Sequence, residues 1–92
     1  GAVPSKLYEA MASAKPVILI ADGEPAEIVT SAKVGLAVSP GDGQALMNAI
    51  KQLSADEKLR TQFGENGRRT AIKLYNRANI TEAFAKYIIN KA

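Results

Sequence analysis

The stretch KPVILIADGEP, residues 15–25, decides the fold class of this chain. Residues 17–20 are continuously apolar and mostly β-branched, which is typical of a strand that is covered on both faces in a parallel sheet. A second apolar run over 34–38 predicts another strand, because the sequence SPGDG that follows has the composition of a turn. The two runs therefore predict two short parallel strands.

Helical patterns surround these strands. Residues 5–14 repeat apolar side chains every three or four positions and contain no β-branched residue, which predicts the first helix. A short helix is expected with Pro25 in its first turn, and Asp42 is a suitable N-cap for a third helix. Ser54 and Glu57 have the spacing of a capping box, so a fourth helix is predicted to begin with Ser54 as its cap.

Two glycines, Gly64 and Gly67, interrupt the fourth helical pattern. Each costs about 1 kcal/mol inside a helix, so a break between two shorter helices is expected there. A last amphipathic helix is predicted from a stripe formed by Ile80, Ala83, Phe84, Tyr87 and Ile88. The order of elements indicates an α/β chain with two strands and about five helices.

Two strands are too few for an independently stable sheet, so the chain is expected to be the last portion of a larger domain. Removal of the upstream strands would bare the edge of the first strand and expose Leu7, Tyr8 or Met11 on the first helix. Self-association of the isolated chain as a homodimer is the expected result. When the first helix is considered alone, however, Tyr8 and Met11 are more typical of core residues.

The composition excludes several classes of site. The 92 residues contain neither cysteine nor histidine, which excludes thiolate metal sites, disulfides and imidazole bases. No acidic triad or Asp-x-Asp motif is present, so no metal and no cofactor is expected, and no catalytic residue is assigned. The apolar runs fall far short of the ~20 residues that cross a bilayer. A cytoplasmic chain is expected, with the longer parent protein peripheral at the inner face of the membrane.

The charge is distributed unevenly along the chain. Residues 1–45 carry a net charge of −2 and residues 46–92 carry +5. A basic half raises the possibility of a nucleic-acid or anionic-membrane partner, but the bases are spread along helical segments and mixed with acids, and only Arg68-Arg69 form a doublet. Solvated helix faces are therefore favoured. No nucleic-acid partner is expected, because few aromatic residues are available for stacking and most of them fall on apolar stripes.

Several segments in order resemble one known family. They are VPSKLYEAMASAKPVI at 3–18, GEPAEIV at 23–29, GLAVSPGD at 35–42 and the pattern Arg60…Gly64…Asn66-Gly67-Arg68. The resemblance is to the nucleotide-sugar segment of retaining GT-B glycosyltransferases of the large group-1 (family four) class. It implies that residues 1–92 are the C-terminal fragment of a Rossmann-like nucleotide-sugar-binding domain. The N-terminal acceptor domain and the upstream strands would be absent.

The resemblance also implies a binding site on the first helix. The family has two glutamates separated by seven residues, of which Glu9 matches the second, whereas Gly1 stands where the first would fall. In family terms Glu9 would accept hydrogen bonds from the ribose hydroxyls. The alternative is that Glu9 is simply an exposed helical glutamate.

The start of the first helix is the candidate phosphate site. Val3, Pro4, Ser5 and Lys6 lie at the predicted N-terminus, where free amides and the helix dipole favour an anion such as pyrophosphate. Two alternatives stay open: Ser5 only caps the helix, and the Lys6 ammonium faces solvent.

The function implied is part of a glycosyltransferase that moves a sugar from a nucleoside-diphosphate sugar to an unknown acceptor. The fragment would be inactive alone, and its partners would be the nucleotide sugar and the N-terminal domain of the parent enzyme. Two alternatives are a sugar-nucleotide epimerase of GT-B fold and a basic helical interaction module.

Overall fold

The computed structural model describes residues 3–77, in which four helices surround a two-stranded sheet. The elements in chain order are α1 (Ser5–Ala12), β1 (Val17–Ile20), α2 (Glu24–Ser31), β2 (Gly35–Val38), α3 (Gly43–Ala55) and α4 (Glu57–Arg77). The predicted α/β class is confirmed. The last predicted helix, with Ile80, Phe84 and Ile88, lies outside the described residues.

The two strands pair in parallel, as predicted. Val17 lies opposite Gly35, and the register continues to Ile20 opposite Val38. β2 begins one residue later than the apolar run, and the carbonyl oxygen of Val34 accepts a hydrogen bond from the Val17 amide at 3.2 Å. A β-carbon at position 35 would overlap the carbonyl of Val17. The close pairing at this point therefore requires glycine.

The first helix is buried between the sheet and α4. Its Leu7, Tyr8 and Met11 join Val17, Val29, Val34 and Ala71 in one core cluster. Met11 is completely buried, and the Tyr8 hydroxyl donates a hydrogen bond to the Ala71 carbonyl at 3.2 Å. The core assignment of Tyr8 and Met11 is confirmed. The expectation that the isolated chain would expose Leu7, Tyr8 or Met11 is wrong, because α4 covers them.

Helix α4 is continuous over its 21 residues, so the break predicted at the two glycines is wrong. Both glycines face α1 instead of a helix end. A β-carbon on Gly64 would overlap the carbonyl of Ala14, and one on Gly67 would lie 3.2 Å from the Met11 Cα. The glycines let the two helices approach closely, and this packing offsets their unfavourable helix propensity.

Of the two predicted N-caps, the one of α3 is confirmed and the one of α4 is wrong. The Asp42 carboxylate accepts a hydrogen bond from the Ala45 amide at 2.9 Å and caps α3, as predicted. The predicted Ser54 cap is wrong, since Ser54 lies within α3. Asp56 caps α4 instead, and its carboxylate accepts from the Leu59 amide at 2.9 Å.

An arginine of α4 binds the C-terminus of α3. This contact helps α3 to continue past Ser54, the residue that was expected to cap α4. Arg60 donates from Nη1 to the carbonyl oxygens of Leu53 at 2.6 Å and Ser54 at 3.0 Å. A guanidinium at these positions satisfies carbonyls that a helix C-terminus leaves without partners. The last turn of α3 is therefore stabilised by the first turn of α4.

The helices before both strands end in the same motif. At the end of α1 the Lys15 amide donates to Ala10 and the Ala14 amide donates to Met11, with Ala14 at a φ of 58°. This is a Schellman motif with alanine at the left-handed position. It ends α1 at Ala12, two residues before the predicted end. Lys33, at a φ of 54°, occupies the equivalent position after α2.

Candidate functional site

The carboxyl ends of the two strands lie at one edge of the sheet, and their loops are joined by side chains. Ser39 follows β2, and its hydroxyl donates to the carboxylate of Asp22, which follows β1, at 2.9 Å. The Ala21 amide donates to the Val38 carbonyl at 3.1 Å and continues the pairing past the strand. Parallel sheets bind ligands at this edge, so it is the natural place for a site.

The direction of α1 brings its N-terminus toward that edge. α1 ends at Ala12, and β1 begins at Val17 after a short turn, so the C-terminus of the helix lies near the amino end of the strand. Helices that alternate with parallel strands run back across the sheet in the opposite direction. Val3, which precedes α1, and Leu19, near the end of β1, both pack against the same core.

The first turn of α1 has no side-chain cap. Pro4 occupies the N-cap position with φ −55° and ψ 140°, and its carbonyl accepts the first hydrogen bond of the helix from Tyr8 at 2.9 Å. The amides of Ser5, Lys6 and Leu7 precede that first bond. Such amides have no acceptor within a helix and carry the positive end of the helix dipole.

The alternative that Ser5 only caps α1 is wrong. Ser5 is the first residue of α1 and does not occupy the cap position. Its side chain and that of Lys6 are exposed. The exposed Ser5 and Lys6 side chains therefore stand beside the amides of the first turn, where a bound anion would meet them.

Glu9 lies one turn after Ser5 on the same side of α1. Residues four apart in a helix are neighbours on its surface, so Ser5 and Glu9 share a face and Lys6 lies beside them. Glu9 is half-buried, whereas the sequence predicted an exposed position. Leu7 and Met11 point the other way, into the core. The helix thus has one face that anchors it and one polar face.

All five candidate binding residues therefore occupy a single short segment. Val3 is half-buried against the core, Pro4 is exposed at the N-cap, and the others follow on the first two turns of α1. Gly1, at the position of the missing first glutamate, lies outside the described residues. Nearness in the chain brings these residues together, without help from distant contacts.

Two polar residues at the sheet edge were not predicted as a pair. Ser39 belongs to the predicted turn SPGDG, and nothing in the sequence pairs it with Asp22. Their hydrogen bond joins loops that are 17 positions apart in the chain. The available signal is that each follows an apolar strand, Ser39 directly and Asp22 after one residue.

The backbone at Gly23 is another requirement of this edge. Gly23 has φ 77° and ψ −148°, a conformation that is essentially restricted to glycine, and it is the N-cap of α2. No Cβ contact within 4 Å would oppose a side chain there, so the restriction comes from the backbone alone.

Among residues 3–77, no group of three or more histidine, cysteine, aspartate or glutamate residues could hold a metal ion. The described helices are also too polar, or too short, for any of them to cross a membrane.

The chain is similar in sequence to one known family and to several known proteins. The family described as "Glycosyl transferases group 1" matches residues 1–70. The lipopolysaccharide core biosynthesis glycosyltransferase LpsE of Rhizobium meliloti (strain 1021) is 31% identical over 85 residues, which is 92% of this chain and 25% of that protein. The probable sucrose-phosphate synthase 1 of Oryza sativa subsp. indica is 36% identical over 70 residues, 76% of this chain and 6% of that protein.

A third relative is the O-antigen chain mannosyltransferase C of Escherichia coli. It is 29% identical over 79 residues, which is 85% of this chain and 21% of that protein. The chain thus spans at most a quarter of the length of these relatives. No solved structure matches it significantly.

Proposed function

The chain belongs to the group 1 glycosyl transferase family, and on that basis we propose that it is part of an enzyme that transfers a sugar from a nucleoside-diphosphate sugar to an acceptor. Its part is to bind the nucleotide end of the donor. The observation that carries the proposal is the uncapped N-terminus of α1, with Glu9 on the same face one turn further along.

The diphosphate lies over the first turn of α1. The amides of Ser5, Lys6 and Leu7 point out of the helix end, and the dipole places about half a positive charge there. Pro4 has no side-chain hydrogen bond to those amides, so they stay available to an anion. The Lys6 ammonium adds a full positive charge beside them.

The ribose lies beside Glu9. The Glu9 side chain is four residues from Ser5, which is about 6 Å along the helix axis. A carboxylate has two oxygens and accepts hydrogen bonds from both hydroxyls of a cis-diol, as acidic residues do in dinucleotide-binding folds. Phosphate and ribose are adjacent in a nucleotide, so one short helix contacts both.

The core holds this helix in position. Tyr8 is bonded to the Ala71 carbonyl, and Met11 is completely buried, so α1 cannot rotate without disrupting its contacts with α4. A binding face built on a rigid element keeps its geometry between the free and bound states. The ligand therefore does not have to order the helix.

The chemistry of transfer follows from this arrangement. In retaining transfer the bond from the sugar to the diphosphate breaks through an oxocarbenium-like state, and negative charge builds on the leaving phosphate. The α1 amides and Lys6 stabilise that charge. The acceptor site belongs to the rest of the enzyme, in the N-terminal domain, and the isolated chain is expected to be inactive. No metal or cofactor is part of the proposal.

A titration monitored through the NMR chemical shifts of the backbone amides tests the site directly. The chain is titrated with a series of nucleoside diphosphates and, separately, with inorganic pyrophosphate. Both ligand types should shift the amides of Ser5, Lys6 and Leu7. Glu9→Ala should weaken the binding of nucleoside diphosphates about fivefold to a hundredfold, as expected for the loss of hydrogen bonds to a charged group. The affinity for pyrophosphate should stay unchanged.

Glu65→Ala is the matched control, because Glu65 is an exposed glutamate on α4. It should leave both titrations unchanged. Equal affinities of the wild type and Glu9→Ala for every nucleoside diphosphate would exclude the ribose role, as would a large loss of thermal stability without any loss of binding. Since the chain holds only part of the cleft, we expect weak donor binding, and a submicromolar calorimetric affinity would contradict this expectation.

A further inference from the structure

The second half of α4 has an exposed face that combines cations with apolar side chains. Ile72 and Tyr75 are 51% and 41% exposed, although most large apolar residues of the described chain are covered. Arg68, Arg69 and Lys73 are exposed beside them. We call these five residues the basic face.

The basic face is continuous along the helix. Arg68, Ile72 and Tyr75 follow each other at spacings of four and three, so they form one stripe on the surface. Arg69 and Lys73 form the neighbouring stripe. Gly67 and Ala71, on the side of α4 that packs against α1, are buried. Tyr75 borders that side, since it lies four residues from Ala71, whereas Ile72 and the three cations lie farther round the helix toward solvent.

The charge of this region has one sign. Residues 66–77 contain no aspartate or glutamate, and the nearest acid before them is Glu65. Glu65 lies one turn before Arg68 and Arg69, so residues 65–77 carry four cations and one acid and the segment is strongly positive. A surface of opposite charge is the complementary partner.

We propose that the basic face docks on the surface of an anionic lipid bilayer. The arginines and Lys73 contact lipid phosphates, while Ile72 enters the boundary between headgroups and acyl chains. Tyr75 has an apolar ring and a polar hydroxyl, which suits the same depth. Surface helices with a basic side and exposed apolar side chains bind membranes in this way.

Two other occupants fit the basic face less well. A nucleic acid would require stacking platforms, but the centre of the face is the aliphatic Ile72, and Tyr75 is its single aromatic residue. A second copy that docked face to face would place the same cations opposite each other, which is unfavourable in a two-fold interface. The lipid surface satisfies both the charge and the apolar side chains.

The proposal concerns attachment at the surface. As stated above, the described helices cannot cross a membrane. It is also independent of the proposed nucleotide site, because that site is on α1 and the basic face is on α4.

Vesicle co-sedimentation of the complete 92-residue chain tests the proposal. We expect binding to phosphatidylcholine vesicles that contain phosphatidylglycerol, none to phosphatidylcholine alone, and a strong decrease at high salt because surface charges are screened. Each basic residue near an anionic surface contributes about fivefold to the partition coefficient. The triple variant R68E/R69E/K73E should therefore lose about a hundredfold or more.

The triple variant K15E/K51E/K58E is the matched control. It changes the net charge by the same amount at three exposed lysines outside the basic face. It should keep most of the binding. Equal losses in the two triple variants would overturn the proposal, because they would indicate attraction by net charge only.

Ile72→Ser tests the contribution of the apolar side chain of the basic face without any change of charge. It should weaken vesicle binding while the circular dichroism spectrum stays unchanged. No vesicle binding by the wild type would overturn the proposal. Stronger retention by RNA or DNA than by anionic vesicles in direct competition would overturn it too and assign the face to nucleic acid. A dimer that is lost on mutating the basic face would assign it to a second copy.

Discussion

Gly64 of α4 packs directly against the main-chain carbonyl of Ala14, at the turn where α1 ends. Ala14 is itself in the left-handed conformation that closes the Schellman motif of α1. The end of one helix therefore rests on a surface of another that has no side chain. This contact explains why α4 keeps a residue that is unfavourable in a helix interior.

We expect Gly64→Ala to destabilise the chain. A methyl group at Gly64 would overlap a carbonyl, which cannot move without shifting α1, and overpacking of this kind costs typically 1–3 kcal/mol. This outweighs the gain of about 1 kcal/mol in helix propensity. The free energy of unfolding in urea measures the balance.

Gly43→Ala is the control for that substitution. Gly43 is the first residue of α3, and no atom lies within 4 Å of a β-carbon placed there. It should be neutral or slightly stabilising. Equal effects of the two substitutions would mean that helix propensity, and not the contact with Ala14, determines the result.

Tyr8 should make the free energy of unfolding depend on pH in the alkaline range. Burial, with a smaller contribution from Tyr75, raises the pKa of the Tyr8 hydroxyl above the ordinary tyrosine value of 10.0. Below that pH the hydroxyl is protonated in both states. As the pH rises from 10.0 through the pKa of the folded state, the unfolded chain loses its proton first. The free energy of unfolding therefore falls over that interval.

Comparison of three chains isolates this effect. Tyr8→Phe removes the bond to the Ala71 carbonyl and should cost about 1 kcal/mol at neutral pH. Its stability should then decline less in alkali than that of the wild type. Tyr75→Phe, at an exposed position, should retain most of the decline. The same alkaline decline in the wild type and Tyr8→Phe would show that other groups cause it.

Removal of the α4 cap should distinguish two neighbouring residues. Asp56→Ala removes the acceptor of the Leu59 amide, and the loss of such a cap costs typically ~1 kcal/mol. Ser54→Ala should change the melting temperature little, because Ser54 is exposed within α3. A larger effect of Ser54→Ala would restore the capping box that the sequence predicted.

We also expect the isolated chain to self-associate. Among the described residues β1 pairs only with β2, so its other edge has no strand beside it. Ile20, at the end of that strand, is 53% exposed. An apolar strand edge is a template for pairing with a second copy, and burial of one such side chain contributes ~1.5–3 kcal/mol. A dimer could also form by exchange of the predicted last helix, with Ile80, Phe84 and Ile88, but those residues lie outside the described range.

Light scattering over a range of concentrations measures this association. Ile20→Lys should shift the chain toward the monomer, since a charge on a strand edge opposes pairing. A wild-type chain that stays monomeric at high micromolar concentration, with a melting temperature independent of concentration, would contradict the expectation. The chain would then be stabilised by its own core alone.

The local patterns of the sequence were sufficient for the α/β class, the parallel strand pair and the Asp42 cap. Each depends on residues within a few positions of one another, and the steric and hydrogen-bonding rules of a strand or a helix end act over that range. The candidate site was accessible for the same reason. Ser5, Lys6 and Glu9 share a face because helical geometry alone places them there.

Contacts between distant segments determined the rest. The continuity of α4 depends on Gly64 meeting Ala14, 50 positions earlier in the chain, and the burial of Tyr8 depends on Ala71. The link between Asp22 and Ser39 exists only because two strands are paired. Local propensities differ by about 1 kcal/mol, whereas close packing of two helices changes the free energy by more than that. Where the two disagree, as at Gly64, the packing decides.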